Sequence, residues 1–167
     1  MRRDLQASIR PLVISHGANS PRTDRSRFRL EFDWTGTDDP TAYLAVAEAI
    51  RVLATAVPGG WPGLMARNRA LALEARALLG AALGVGPPSP ETMIGALAAV
   101  PLPDEARPAP PARDPLEVAL FARFAIEVPV IAWPASPRRL LRVSCQLYNT
   151  RAQYARLGQA LTTLLGR

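Results

Sequence analysis

The stretch RRLLRVSCQLYNTRAQ, residues 138–153, decides how the C-terminal part of the chain folds. Residues 140–147 are mostly apolar, and the side chains of a strand point alternately to its two faces. This alternation places Leu141 and Val143 on an apolar face and Arg142 on the opposite face. The sequence therefore predicts a strand with one face covered by helices and a cation on the other face.

The Tyr-Asn-Thr that follows ends this strand and begins a helix. Thr150 and Gln153 have the spacing of a capping box, in which each side chain satisfies a backbone N–H of the first helical turn. The helix that follows should bury one stripe of side chains, comprising Tyr154, Leu157, Leu161 and Leu164.

The segments before this strand complete a small layered fold. MIGALAAVPLP (93–103) is typical of a buried strand, and Asp114-Pro115 favours the start of a helix. IEVPVIAW (126–133) predicts another strand, which Pro129 confines to a sheet edge because proline lacks an N–H. The order β-α-β-β-α indicates an α/β (α+β) fold with helices on one side of a short sheet.

The N-terminal half predicts two helices and one extended segment. Strict alternation in RFRLEFDW (27–34) favours a half-buried strand or extended segment. Asp39 and Pro40 are suited to open a helix that runs to about Val57, with Tyr43, Val46 and Ile50 among the residues of its buried stripe. A long helix is expected from about Pro62 to Leu83, ending at Gly84.

Composition narrows the possible functions. All twenty basic residues are arginine, the net charge is +6, and no lysine is present to form a Schiff base. With one cysteine, no internal disulfide can form, and no apolar stretch reaches the ~20 residues of a membrane span. These features favour a soluble, cytoplasmic protein.

A few single residues and one short segment allow more than one chemical role. Arg142 is either a solvated or ion-paired arginine or a bidentate fork for a carboxylate or phosphate. Cys145 lies on the apolar strand face and is predicted to be a core thiol, while His16 has no partner for catalysis and no metal-ligand spacing is present. The arginines of RTDRSRFR (22–29) are compatible with nucleic-acid binding, but the other arginines are dispersed and aromatic content is 6%, so no nucleic-acid partner is expected.

Five short motifs occur in an order that resembles the C-terminal part of the class V aminotransferases, in the isopenicillin-N-epimerase-like branch. These are fold-type I enzymes that use pyridoxal phosphate (PLP). The matching segments are PLVISHG (11–17), FDWTGTDDP (32–40), GGWP (59–62), EVPV (127–130) and LLRVSCQLYNT (140–150).

The resemblance implies roles for three residues. Arg142 matches the arginine that binds the α-carboxylate of an amino-acid substrate, and Gly36 and Thr37 match a pair that contacts the cofactor phosphate of the neighbouring subunit of a homodimer. A helix start also attracts anions. The alternative for Thr37 is a purely local role in the turn before the helix.

The resemblance begins after the point where the family places its Schiff-base lysine. It implies that residues 1–60 are a remnant of the large cofactor domain, residues 61–84 a bridging helix, and residues 85–167 the small C-terminal domain. The chain is then expected to be a truncated record, half of a split enzyme or a relic, and to be inactive alone. The expected partner is a second copy in a homodimer or a PLP-domain chain. A non-catalytic dimerisation or interaction module remains the alternative. Epimerisation, transamination and C–S cleavage all remain open as reaction outcomes.

Overall fold

The computed structural model describes residues 1–34, 36–105 and 113–166. The chain separates into two compact units, Met1–Ala49 and Ile50–Arg167. The proline-rich segment PDEARPAPPAR (103–113), whose composition is typical of a polar surface loop, lies mostly outside the described residues. Within the described ranges, no helix combines the length and the apolar character needed to cross a bilayer.

The helices follow the chain in this order. They are α1 Arg27–Phe32, α2 Thr41–Leu44, α3 Val46–Leu53, α4 Gly60–Leu83, α5 Pro115–Phe124 and α6 Arg151–Leu165, with short 3-10 turns at Arg3–Leu5, His16–Asn19 and Glu91–Met93.

The second unit contains a three-stranded antiparallel sheet, formed by β1 Leu97–Leu102, β2 Val130–Ala132 and β3 Arg139–Ser144. The strand order is β1-β3-β2, so β2 lies at an edge, as the proline before it predicts. The observed order β-α-β-β-α confirms the predicted α+β class.

One face of this sheet carries the core. Strand β3 contributes Leu141 and Val143, and both are buried against the helices. Other buried side chains of this core include Leu79 and Leu83 of α4, Leu116 and Leu120 of α5, Leu157 and Leu161 of α6, and Val100 of β1. The opposite face, which includes Leu97 and Arg142, is exposed.

Helix ends in this unit follow the sequence signals closely. Gly84 ends α4 with a left-handed conformation at φ 66°, which glycine adopts without steric cost. Asp114 caps α5 by accepting a hydrogen bond from the Leu116 N–H at 2.9 Å. The capping box between Thr150 and Gln153 opens α6, as predicted.

The expectation of a strand in RFRLEFDW was wrong, because residues 27–32 form α1. A period of two also brings identical residue types to positions four apart, which is the spacing of neighbours on a helix. Phe28 stacks on Phe32 with ring centroids 4.4 Å apart, and Arg29 pairs with Asp33 at 3.0 Å. These contacts favour the helix.

The predicted helix over residues 40–57 is present but divided into α2 and α3. Asp39 accepts a hydrogen bond from the Thr41 N–H at 3.0 Å and so performs the expected capping. The apolar stripe was predicted to be buried, yet Tyr43, Val46 and Ile50 are all exposed. The periodicity correctly predicted the helix, but it did not reveal whether another element covers the apolar stripe.

Candidate functional site

A cleft opens where the pairing between β3 and the chain before β2 stops. The Arg142 N–H donates to the Pro129 carbonyl at 3.1 Å. Before Pro129 the chain turns towards the end of α5, where Ala125 adopts a left-handed conformation at φ 53°. The two segments therefore separate, and a cleft of about 300 Å³ lies between residues 125–129, the end of β3 and the first turns of α6.

Arg142 lines this cleft and supplies its most available charge. Its side chain is exposed, and its guanidinium has no hydrogen-bond or ion-pair partner among the described residues. A guanidinium presents a planar pair of donors that matches a carboxylate. The structure thus places Arg142 in a cleft, on the strand face predicted from the sequence.

Two further charged side chains line the cleft. Arg156 donates through Nη2 to the Phe124 carbonyl at 2.7 Å, where a cation complements the negative end of α5. The carboxylate of Glu127 is exposed and has no partner among the described residues. Two positive charges and one negative charge suit a ligand with a single carboxylate better than a polyanion.

The wall of the cleft near α6 is a buried phenol. The Tyr154 hydroxyl donates to the Ser144 carbonyl at 2.8 Å. Burial, together with the neighbouring Cys145 thiol, raises the pKa of Tyr154 far above its usual value. Burial also raises the pKa of Cys145, which lies in the core as predicted. Both groups stay protonated at neutral pH, so Tyr154 acts here as a hydrogen-bond donor and not as a base.

The residues after Tyr148 set the corner that leads into α6. The Asn149 side-chain oxygen accepts from the Gln146 N–H at 2.9 Å, and the Gln153 side chain accepts from the Thr150 N–H at 2.9 Å. Asn149 and Gln153 also line the cleft. The Asn-Thr of the sequence motif therefore fixes the direction of α6 relative to β3.

Gly36 and Thr37 lie in the first unit, and both are exposed. Gly36 has φ +150°, a conformation that other residues rarely adopt. The hydrogen bond from the Thr41 N–H lowers the pKa of Asp39, so this carboxylate is ionised close to the pair in sequence. The phosphate role of Gly36 and Thr37 stays a prediction, and the negative charge of Asp39 opposes it locally.

The sequence interpretation missed a buried ion-pair network on the covered face of β3. Arg139 is 4% exposed and Asp114 is 1% exposed, and Arg139 Nη1 donates to Asp114 Oδ1 at 3.0 Å. Arg139 also donates to the Pro103 carbonyl at 2.9 Å and pairs with Glu105 at 2.5 Å. The signal was present, because the alternation that exposes Arg142 turns Arg139 towards the core.

The arginine-rich segment of the first unit is largely neutralised by neighbouring acids. Arg22 pairs with Asp24 at 2.6 Å, and Arg27 pairs with Glu31. Arg25 and Arg29 both contact Asp33. These contacts leave little unpaired positive charge for a phosphate backbone. Within the described ranges, no group of three potential metal ligands occurs.

Comparison with known proteins indicates the class of protein that this chain is similar to. No family model matches the chain. Its similarity to curated proteins nevertheless lies in the isopenicillin-N-epimerase-like branch, so the predicted resemblance is confirmed.

The relatives themselves are isopenicillin N epimerases. The protein from Amycolatopsis lactamdurans is 35% identical over 169 residues, which cover 93% of this chain and 39% of the relative. The protein from Streptomyces clavuligerus is 35% identical over 160 residues, which cover 89% of this chain and 36% of the relative. The chain thus spans less than two-fifths of the length of these relatives.

Proposed function

We propose that this chain is a segment of a PLP-dependent, isopenicillin-N-epimerase-like enzyme and that Arg142 binds the carboxylate of its amino-acid substrate. The supporting observation is that the Arg142 guanidinium lies in a cleft of about 300 Å³ and has no partner among the described residues. The similarity to two epimerases supports the class of reaction.

The cofactor would supply an electron sink for the bond broken at the substrate Cα. This chain's own contribution is to bind and orient the substrate carboxylate through Arg142. In the proposal, Gly36 and Thr37 contact the cofactor phosphate of a neighbouring subunit. The 167 residues contain no lysine, so the amine that holds the cofactor would come from outside them.

The test begins with the native protein in its source cells. An antibody against the α6 region, combined with intact-mass analysis, shows whether the native chain exceeds 18.0 kDa. A longer chain is assayed directly with PLP, and a chain of this size is first purified with whatever lysine-bearing partner accompanies it. Exchange of the substrate α-proton for deuterium in D₂O, followed by NMR, measures the chemistry.

Arg142→Gln should lower kcat/KM for this exchange by about 10- to 100-fold, because it removes hydrogen bonds to a charged group. Arg151→Gln is the matched control, since Arg151 pairs with Glu74 at 2.6 Å and does not line the cleft. Equal effects of the two variants would contradict the proposed role of Arg142.

A second candidate is a non-catalytic association module. It is favoured by exposed apolar side chains on the uncovered side of the sheet, where Leu97 is 50% and Trp133 is 64% exposed. Co-purification with a larger chain, without α-proton exchange in that complex, would favour this candidate over the enzyme.

A further inference from the structure

Two hydrogen bonds fix which backbone groups of β3 face each neighbouring strand. The Cys145 N–H donates to the Ala96 carbonyl at 2.8 Å, so the odd-numbered residues direct their N–H and C=O groups towards β1. The Arg142 N–H donates to Pro129 on the other side. Because these directions alternate along an antiparallel strand, the N–H of Ser144 faces the β2 side.

On that side, the next pair in the ladder would join Ser144 to Glu127, two residues beyond Arg142 and Pro129. No hydrogen bond joins Ser144 and Glu127, and the N–H of Ser144 has no acceptor in the part of the chain that the structure describes. The chain before Pro129 has already turned away, and both Ser144 and Glu127 line the cleft. A backbone donor therefore faces the cleft without a partner among the described residues.

The position of this N–H is fixed by a hydrogen bond to the carbonyl of the same residue. The Ser144 carbonyl accepts the Tyr154 hydroxyl at 2.8 Å, and Tyr154 is itself buried. The Ser144 hydroxyl also has no partner among the described residues and lies on the same strand face as Arg142. A fixed N–H and an exposed guanidinium thus share one cleft.

We propose that the backbone N–H of Ser144 is a second donor to the carboxylate that Arg142 binds. The inference rests on the proposed function for the nature of the ligand. Hydrogen bonds from backbone N–H groups to a carboxylate are charge-assisted, and a donor already held in place loses little entropy on binding. The Glu127 carboxylate nearby disfavours ligands that carry several negative charges.

The test uses the full chain labelled with ¹⁵N and titrated with acetate at constant ionic strength. Acetamide, which has a similar shape and no charge, is the ligand control. The amide resonance of Ser144 reports directly on its N–H, and the titration is repeated with Arg142→Gln and with Arg151→Gln. We expect a saturable shift of the Ser144 amide with acetate only, an affinity about tenfold weaker in Arg142→Gln, and no change in Arg151→Gln.

The possible failures are distinguishable. If acetate binds in a manner that depends on Arg142 while the Ser144 amide does not move, the role of Ser144 is overturned and the proposed function stands. If acetate shows no binding that depends on Arg142, the carboxylate site itself is overturned. Because the main readout uses the unaltered chain, neither result depends on whether a variant folds.

Discussion

Two arginines of β3, Arg139 and Arg142, lie three residues apart and have opposite environments. Arg139 is buried against Asp114, whereas Arg142 is exposed in the cleft. An odd spacing along a strand places two side chains on opposite faces, so one cation became part of the core and the other remained available. A buried cation needs a partner within the protein, whereas an exposed cation is stabilised by water and can bind a ligand.

Replacing Arg139 by methionine should lower the free energy of unfolding by about 3–5 kcal/mol, because the Asp114 carboxylate would remain buried without its main countercharge. Urea denaturation measures this change. Arg151→Gln is the control, since its exposed pair with Glu74 contributes less than about 1 kcal/mol. Similar losses in both variants would show that the buried network is not maintained in solution.

The Cys145–Tyr154 pair predicts a loss of stability in alkali. Burial raises the pKa of both groups in the folded state, so unfolding favours their ionised forms. Their contribution is fully present below about pH 9, the ordinary pKa of the thiol, and is lost as the pH rises towards the higher folded-state values. The urea midpoint measured between pH 7 and 10.5 should therefore fall.

The double variant Cys145→Ala, Tyr154→Phe supplies the control for this slope. It should be less stable than the parent at pH 7, because the hydrogen bond to the Ser144 carbonyl is lost. Its urea midpoint should nevertheless change less between pH 7 and 10.5. An unchanged slope would mean that other groups cause the alkaline effect.

At the scale of elements, the second unit could largely be predicted from its sequence. The strand alternation around Arg142, the capping residues Asp114 and Thr150, and the stop at Gly84 are local signals that agree with the packing. In RFRLEFDW the alternation was equally clear, yet helical pairs four residues apart prevailed. In a short segment that no other element covers, the sequence does not reveal whether the strand period of two or the helix period of 3.6 will prevail.

The cleft was harder to predict than the strand that borders it. The sequence marks Arg142 and the edge position of Pro129, but it does not show where the two chain segments separate. That separation depends on the turn at Ala125 and on the length of the preceding helix. The Arg139 network was missed because its partners lie far away along the chain.

Close packing of α6 against α4 predicts the effect of enlarging Gly158. A Cβ at this position would lie 3.3 Å from the Leu78 Cδ2 and 3.6 Å from the Ala82 Cβ. Gly158→Leu should therefore destabilise the protein by about 1–3 kcal/mol through overpacking. Ala152→Leu, on the exposed side of the same helix, should be nearly neutral in thermal unfolding. Equal melting temperatures for the two variants would contradict this packing.

At the scale of the whole molecule, the two units differ in what stabilises them. The second unit has a continuous apolar core. Among the described residues of Met1–Ala49, Glu31 is the only buried residue, at 2% exposed, and its carboxylate forms ion pairs with Arg27 and Arg10 rather than packing in an apolar core. A unit of this size without a core is marginally stable.

Hydrogen exchange should distinguish the units. Amides of Met1–Ala49 should exchange about a hundredfold or more faster than those of α4, β3 and α6, since local opening is easiest where apolar burial is least. Mass spectrometry of peptides after brief D₂O labelling measures the difference. Comparable protection in both units would show that the first unit is covered by something, such as another chain.

Exposed apolar side chains also predict self-association. Leu12 and Ile14 are almost fully exposed, and Trp133 is exposed in the second unit. Sedimentation velocity should show a mean mass that rises with protein concentration, and Leu12→Ser with Ile14→Ser should reduce it. A sharply monomeric parent protein at all concentrations would contradict this expectation.

The end of the ladder between β2 and β3 has a consequence for how this protein tolerates change. A donor that belongs to the main chain is present whatever side chain stands at position 144, so its use is invisible to any comparison of residue types. A saturation library at Ser144 should therefore retain carboxylate affinity with most small residues and lose it selectively with proline, the one residue without an N–H. Such a site would be preserved by the backbone geometry where the two segments separate, even if the residue types around it change.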